Sequence, residues 1–186
     1  MKQGIYVLFF SAFSTACAPR YQMPPMLPIS ILQISNPDQT QQWLEDKNNL
    51  TYKRDPDLHG EDFWAPCALT YALGGGDCED YAICAAALLE GDIEKGYIVS
   101  AEHPDRDSAH AVFAYKFHGW WGINSNNETE FRRPYFLTEH QAITDSLRGK
   151  YTEYTIYDYS GVNIFIGNED LEDKIKKRKI GTYLLK

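Results

Sequence analysis

Cys78 follows the run Gly74-Gly75-Gly76-Asp77 and opens an apolar stretch; His110 begins an alternating stretch downstream, and Asn124 ends the stretch after it. Cysteine, histidine and an amide in that order suit a thiol nucleophile, its base, and a group that orients the base. A thiol attacks a carbonyl only as the thiolate, and a free one has a pKa of about 8.5. The first turn of a helix favours the anion through its unpaired N–H groups and the positive end of its dipole. The same N–H groups can hold a developing oxyanion. The glycines let the chain turn sharply and leave room for a substrate. Asp77 and Glu79 work against the thiolate, because they flank it with negative charge. Either they point elsewhere or a cation neutralises them, and adjacent carboxylates suit a hard cation; taken alone, acids here are ordinary capping residues. His110 sits between Ala109 and Ala111, which leave space around its ring, whereas His59, His103, His118 and His140 fall in loops, turns or a surface helix.

These residues need elements to hold them. Asn36-Pro37 reads as a helix cap followed by proline in the first turn, and the helix runs to about Lys47. A second helix is expected from Glu61 to Leu73, ended by the three glycines. Asp77 then caps a third, from Cys78 to about Leu89, which is apolar nearly all round and so belongs at the centre of the domain. Strands follow: Tyr97-Ile98-Val99, Ala109 to Phe117, and Trp120 to Asn124, the last two joined at His118-Gly119. Thr138 to Leu147 reads as a helix, Tyr151 to Tyr157 and Val162 to Ile166 as a hairpin around Ser160-Gly161, and Leu171 to Lys179 as a closing helix. Helices first and strands later give an α+β class, with the cysteine helix packed on an antiparallel sheet. Register imposes a condition on the site. A two-residue turn at His118-Gly119 puts Asn124 and His110 on opposite faces. A Cys-His-Asn triad therefore requires one extra residue there, as in a three-residue loop with a bulge at Gly119.

The 186 residues are enough for one domain with a sizeable core. Net charge is −8 with the acids scattered, so no basic stripe suits a nucleic-acid backbone. The basic run Lys174 to Lys179 reads as solvated last turns of a helix. At the N-terminus, Lys2, the apolar run from Ile5, and Ser14-Thr15-Ala16 before Cys17 have the form of an export signal over residues 1–17. The run is too short for a permanent membrane span. Two outcomes stay open at its end: lipidation of Cys17, giving a membrane-anchored lipoprotein, or cleavage without a lipid, giving a periplasmic protein. Residues 18–35 carry four prolines and read as a tether, leaving 36–186 as the domain. Cys67 and Cys84 could pair in an exported chain or serve as small core residues.

Gly76-Asp77-Cys78-Glu79-Asp80-Tyr81-Ala82, with Trp64 upstream, resembles the cysteine motif of the bacterial transglutaminase-like cysteine peptidases. His110-Ala111-Val112 is similar to the family's histidine strand and Trp121-Gly122-Ile123-Asn124 to its third-residue strand, although the family usually has Asp where Asn124 stands. The resemblance covers roughly residues 55 to 126 and implies a papain/transglutaminase-like fold. It implies catalysis by Cys78, His110 and Asn124, with Trp64 and Gly76 near the oxyanion or substrate, and calcium at Asp77 and Glu79. No cofactor is required by the sequence itself. The function expected is an exported cysteine hydrolase that cleaves an amide or peptide bond in a protein or peptide substrate, such as a surface protein or the cell-wall peptide. Two rivals share the fold: a transglutaminase or deamidase acting on protein glutamine, and a non-catalytic tethered binding module.

Overall fold

The computed structural model describes residues 34–54, 64–103, 109–164 and 171–185. In chain order these form α1 (Pro37–Glu45), α2 (Cys67–Ala72), α3 (Cys78–Leu89), β1 (Lys95–Glu102), β2 (Ala109–Phe117), β3 (Trp120–Asn124), β4 (Arg132–Phe136), α4 (Glu139–Leu147), β5 (Glu153–Tyr157), α5 (Leu171–Lys176) and β6 (Lys179–Leu184). The strands make one antiparallel sheet in the order β4-β3-β2-β1-β5-β6. The expected α+β class is the one observed. The signal segment, Cys17 and almost all of the tether lie outside the described residues.

Local chemistry explains the elements that hold the site. Asn36 caps α1 by accepting the Gln39 N–H at 2.9 Å, with Pro37 in the first turn. Thr138 and Gln141 form a reciprocal capping box on α4. The apolar residues of α3 are buried on nearly every side, which makes it the central helix. One sheet face packs on α3 through Ala111, Phe113 and Tyr115. The opposite face carries Val112, Ala114 and Ile123 and is covered by Ala142, Ile143 and Leu147 of α4.

Several sequence expectations are corrected. Helix α2 begins only at Cys67, because Pro66 stands at its cap; residues 61–63 lie outside the described ones. Asp77 occupies the cap position of α3, but its side chain makes no capping bond. No strand forms at 162–164: turn geometry continues through Val162 and Ile164, and β5 pairs instead with β6. Strands β4 and β6 were not expected. Cys67 and Cys84 are free thiols, Cys84 Sγ lying 3.7 Å from the Cys67 carbonyl. The hairpin of β2 and β3 closes on two residues, with Phe117 opposite Trp120 and Phe113 opposite Asn124. His118 and Gly119 both have positive φ, at 50° and 83°, the geometry of a two-residue primed turn. The extra residue that a His110–Asn124 contact needs is absent.

Candidate active site

Cys78 is the first residue of α3 and is 6% exposed. The first hydrogen bond of this helix runs from Tyr81 N–H to the Asp77 carbonyl. The N–H groups of Cys78, Glu79 and Asp80 therefore precede the helical ladder. The preceding glycines are held by the chain at 51–53: Thr51 N–H donates to Gly74 O at 3.0 Å and Lys53 N–H to Gly76 O at 2.8 Å. Gly76 is required by close packing, since a Cβ there would lie 2.0 Å from the Asp80 carboxylate. Asp80 in turn accepts the Ala65 N–H at 2.7 Å, fixing the segment after Trp64 to the start of α3.

The thiol lies against β2 on both sides of His110. Its Sγ is 4.0 Å from the Ala109 carbonyl oxygen, and the Ala111 backbone N–H reaches it. It donates to Glu79 Oε2 at 3.1 Å and makes no hydrogen bond to His110. Burial pushes the Cys78 thiol well above its usual range; the Glu79 charge and hydrogen bond add to this, and the Ala111 N–H opposes it.

His110 meets Glu130. Nε2 is 2.6 Å from Glu130 Oε2 and 3.5 Å from Ser125 Oγ, and the ring stacks on Tyr151 with centroids 5.6 Å apart and planes 10° apart. Glu130 is 1% exposed, on the loop between β3 and β4. Its Oε2 also accepts from Ser125 Oγ at 3.1 Å, and its Oε1 from Lys150 Nζ at 3.0 Å and Asn127 Nδ2 at 3.3 Å. Burial alone would raise its pKa, but the bonds and charges of His110 and Lys150 outweigh that and hold it at about 2. An ionised carboxylate can only accept, so the proton between the two belongs to Nε2. With that proton on Nε2, a neutral ring carries its free lone pair on Nδ1.

Asn124 is not part of this cluster, which corrects its place in the expected triad. It is fully buried on the other face of the sheet, and its Nδ2 donates to the Pro37 carbonyl at 3.2 Å and to Gln41 Oε1 at 3.0 Å on α1. The two-residue turn is the physical reason. Ser125, one residue on, points to His110 instead. Trp64 is buried, edge-on to Tyr157, with Lys176 Nζ 5.5 Å above its ring. Asp77 and Glu79 belong to no set of three or more His, Cys, Asp or Glu side chains able to hold a metal among the described residues. Glu79 accepts the hydrogen bond of the Cys78 thiol.

Sequence reasoning missed Glu130 and Tyr151; Ser125 is the residue that a two-residue turn at His118-Gly119 brings round to His110. The available signal was the pair of acids, Glu128 and Glu130, soon after the third strand; nothing in their spacing separates the one that turns inward. No helix among the described residues is long and apolar enough to cross a membrane.

A family model described as a transglutaminase-like domain matches residues 39–124, a span that includes Cys78 and His110. Among solved structures, LapG of Legionella pneumophila aligns at 21% identity over 63% of this chain and 63% of that one, with a TM-score of 0.40. Its calcium-bound form aligns at 19% identity over 75% and 78%, with a TM-score of 0.44. Its EGTA-treated form aligns at 17% identity over 76% and 78%, with a TM-score of 0.41. In the first of these alignments the chain spans less than two thirds of LapG. No curated protein matches the chain.

Proposed function

For a chain that belongs to the transglutaminase-like family through residues 39–124, we propose hydrolysis of an amide or peptide bond by a thiol mechanism centred on Cys78 and His110. One observation carries this reading: the thiol that opens α3 rests against the β2 backbone on both sides of His110. To react, the Cys78 side chain turns from Glu79 toward Nδ1 of His110. His110 takes the thiol proton, and the thiolate attacks the substrate carbonyl. The resulting oxyanion is held by the N–H groups at the start of α3, the Cys78 N–H first among them. His110 then gives its proton to the leaving amine, and water, deprotonated by His110, releases the acid from the acyl-enzyme.

The test is alkylation of the intact protein by iodoacetamide near neutral pH, with labelled peptides identified by mass spectrometry. Cys78 is expected to react ahead of Cys67 and Cys84, and His110→Ala to slow it. Cys78→Ala and His110→Ala should abolish turnover of a peptide substrate alike, because the two act as a unit. Equal labelling of the three thiols, or indifference to His110→Ala, would end this reading. A second reading keeps the fold and drops the chemistry: the Cys78–Glu79 hydrogen bond in a buried setting is what a structural thiol in a tethered binding module would show. The same outcome selects it.

Export remains part of the proposal on the sequence alone. The mature chain is expected to start at or near Cys17 and to carry a lipid there. Growth with a fatty-acid analogue checks this: a labelled chain confirms the anchor, an unlabelled chain starting near residue 17 means export without one, and an intact Met1 removes export.

A further inference from the structure

We infer that Glu130 is the positioning residue of His110, occupying the role that the strand position of Asn124 would otherwise fill. The inference rests on the thiol–imidazole reading above and adds the group that makes the imidazole a competent base.

The geometry divides the carboxylate between two tasks. Oε2 faces inward to His110 Nε2 and Ser125 Oγ, while Oε1 faces Lys150 Nζ and Asn127 Nδ2. With one oxygen held by the cation and the amide, the other cannot rotate off the ring without breaking bonds on both sides. The backbone of Glu130 is fixed as well, its N–H donating to Asn127 O at 2.9 Å and its carbonyl accepting from Ser146 Oγ of α4 at 2.6 Å. Tyr151 covers one face of the imidazole, next in sequence to the lysine that holds the carboxylate. The cluster therefore fixes both the tautomer and the plane of the ring. A carboxylate against Nε2–H also stabilises the imidazolium formed when the thiol gives up its proton, which a neutral amide does less well. The charged or titratable groups against this pair are Lys150 on Glu130 and Tyr151 on the His110 ring, both just before β5; Tyr151 in turn meets His103 edge-on and feels the charge of Cys78 on α3 and of Tyr52.

The test needs no substrate. The rate of Cys78 alkylation by iodoacetamide is followed across pH in wild type, Glu130→Gln, Glu130→Asp and His110→Ala, with melting temperatures alongside. Glu130→Gln keeps the shape but removes the charge, and its amide N–H groups meet the donors of Lys150 and Asn127. It is expected to slow alkylation at neutral pH at least about tenfold and to move the rising limb to higher pH. Glu130→Asp keeps the charge at shorter reach and should keep the limb in place at a reduced rate. A lowered melting temperature with an unmoved pH profile in Glu130→Gln would make Glu130 merely structural and overturn the inference, while the thiol reading survived. Indifference to His110→Ala would overturn both. Should Glu130→Gln not fold, the ¹⁵N spectrum of His110 in the wild-type chain decides: the Nε2–H tautomer supports the inference, and the Nδ1–H tautomer overturns it.

Discussion

At Asn124 a single amide shows how context assigns a role. Its two N–H donors reach the Pro37 carbonyl and Gln41 Oε1, and Gln41 Nε2 donates on to the Ser125 carbonyl at 2.7 Å. The Ser125 N–H returns to Gln41 Oε1 at 3.2 Å. This exchange of amides ties the end of β3 to α1 in a fully buried setting. An aspartate there would lose both donors and face a carbonyl oxygen and an amide oxygen with a negative charge. Asn124→Asp, the form suggested by the resemblance, is therefore expected to lower stability by about 3 kcal/mol or more. Urea unfolding of the two chains checks this, and a midpoint equal to wild type would show that Asn124 is not the anchor described. Asn124 thus acts through the docking of α1, and its amide chemistry matches Gln41, not a histidine.

Among the elements, legibility followed how much of the signal was local. Helix α3 was readable because an apolar sequence on every side has one place to go, the centre. The β2–β3 hairpin was readable from its alternation and its turn, and the turn residues also carried the register: a two-residue loop puts Asn124 on the α1 face. The bulge needed to rescue a His110–Asn124 contact had no residue to form it. Less local features were hidden. Strand β4 contains Pro134 and two arginines, a composition tolerated only at an edge, and it is the edge next to β3. Strand β6 begins inside a basic run that resembles a solvated helix end, and its pairing with β5 spans the turn signal at Ser160-Gly161. The glycine turn was legible as a turn but not as a joint. Gly75 has φ of 141°, and a Cβ there would come 1.7 Å from the Thr51 carbonyl oxygen, so residues 51–53 and the turn are built against each other. Glu130 was the least legible of all, since its direction is set by α4 and the turn after it.

Across the whole molecule, the site joins both sides of the sheet. Cys78 arrives on α3, packed on one face; Glu130 is held by Ser146 of α4 and by Lys150 just after it, on the other; His110 arrives on the sheet itself. A charge change at Glu130 should therefore register in global stability. Its carboxyl group titrates at about 2 in the fold against 4.5 in an unperturbed chain. Between those values the folded protein binds fewer protons than the unfolded one, so the stabilisation is fully present above pH 4.5 and is lost as pH falls toward 2. Its size is on the order of 3 kcal/mol. Asp158 is also held below its usual range, by bonds from Ser160 and the charges of Arg178 and Lys95, and will contribute to any acid transition. The informative quantity is hence a difference. Wild type and Glu130→Gln are to be unfolded in urea at neutral pH and at about pH 3. Wild type should be the more stable at neutral pH, and the gap should narrow on acidification, because the glutamine has no proton to gain. A gap that stays constant between the two conditions would mean that Glu130 does not hold its charge in the fold, and the ion pairs with Lys150 and His110 would lose their energetic role with it.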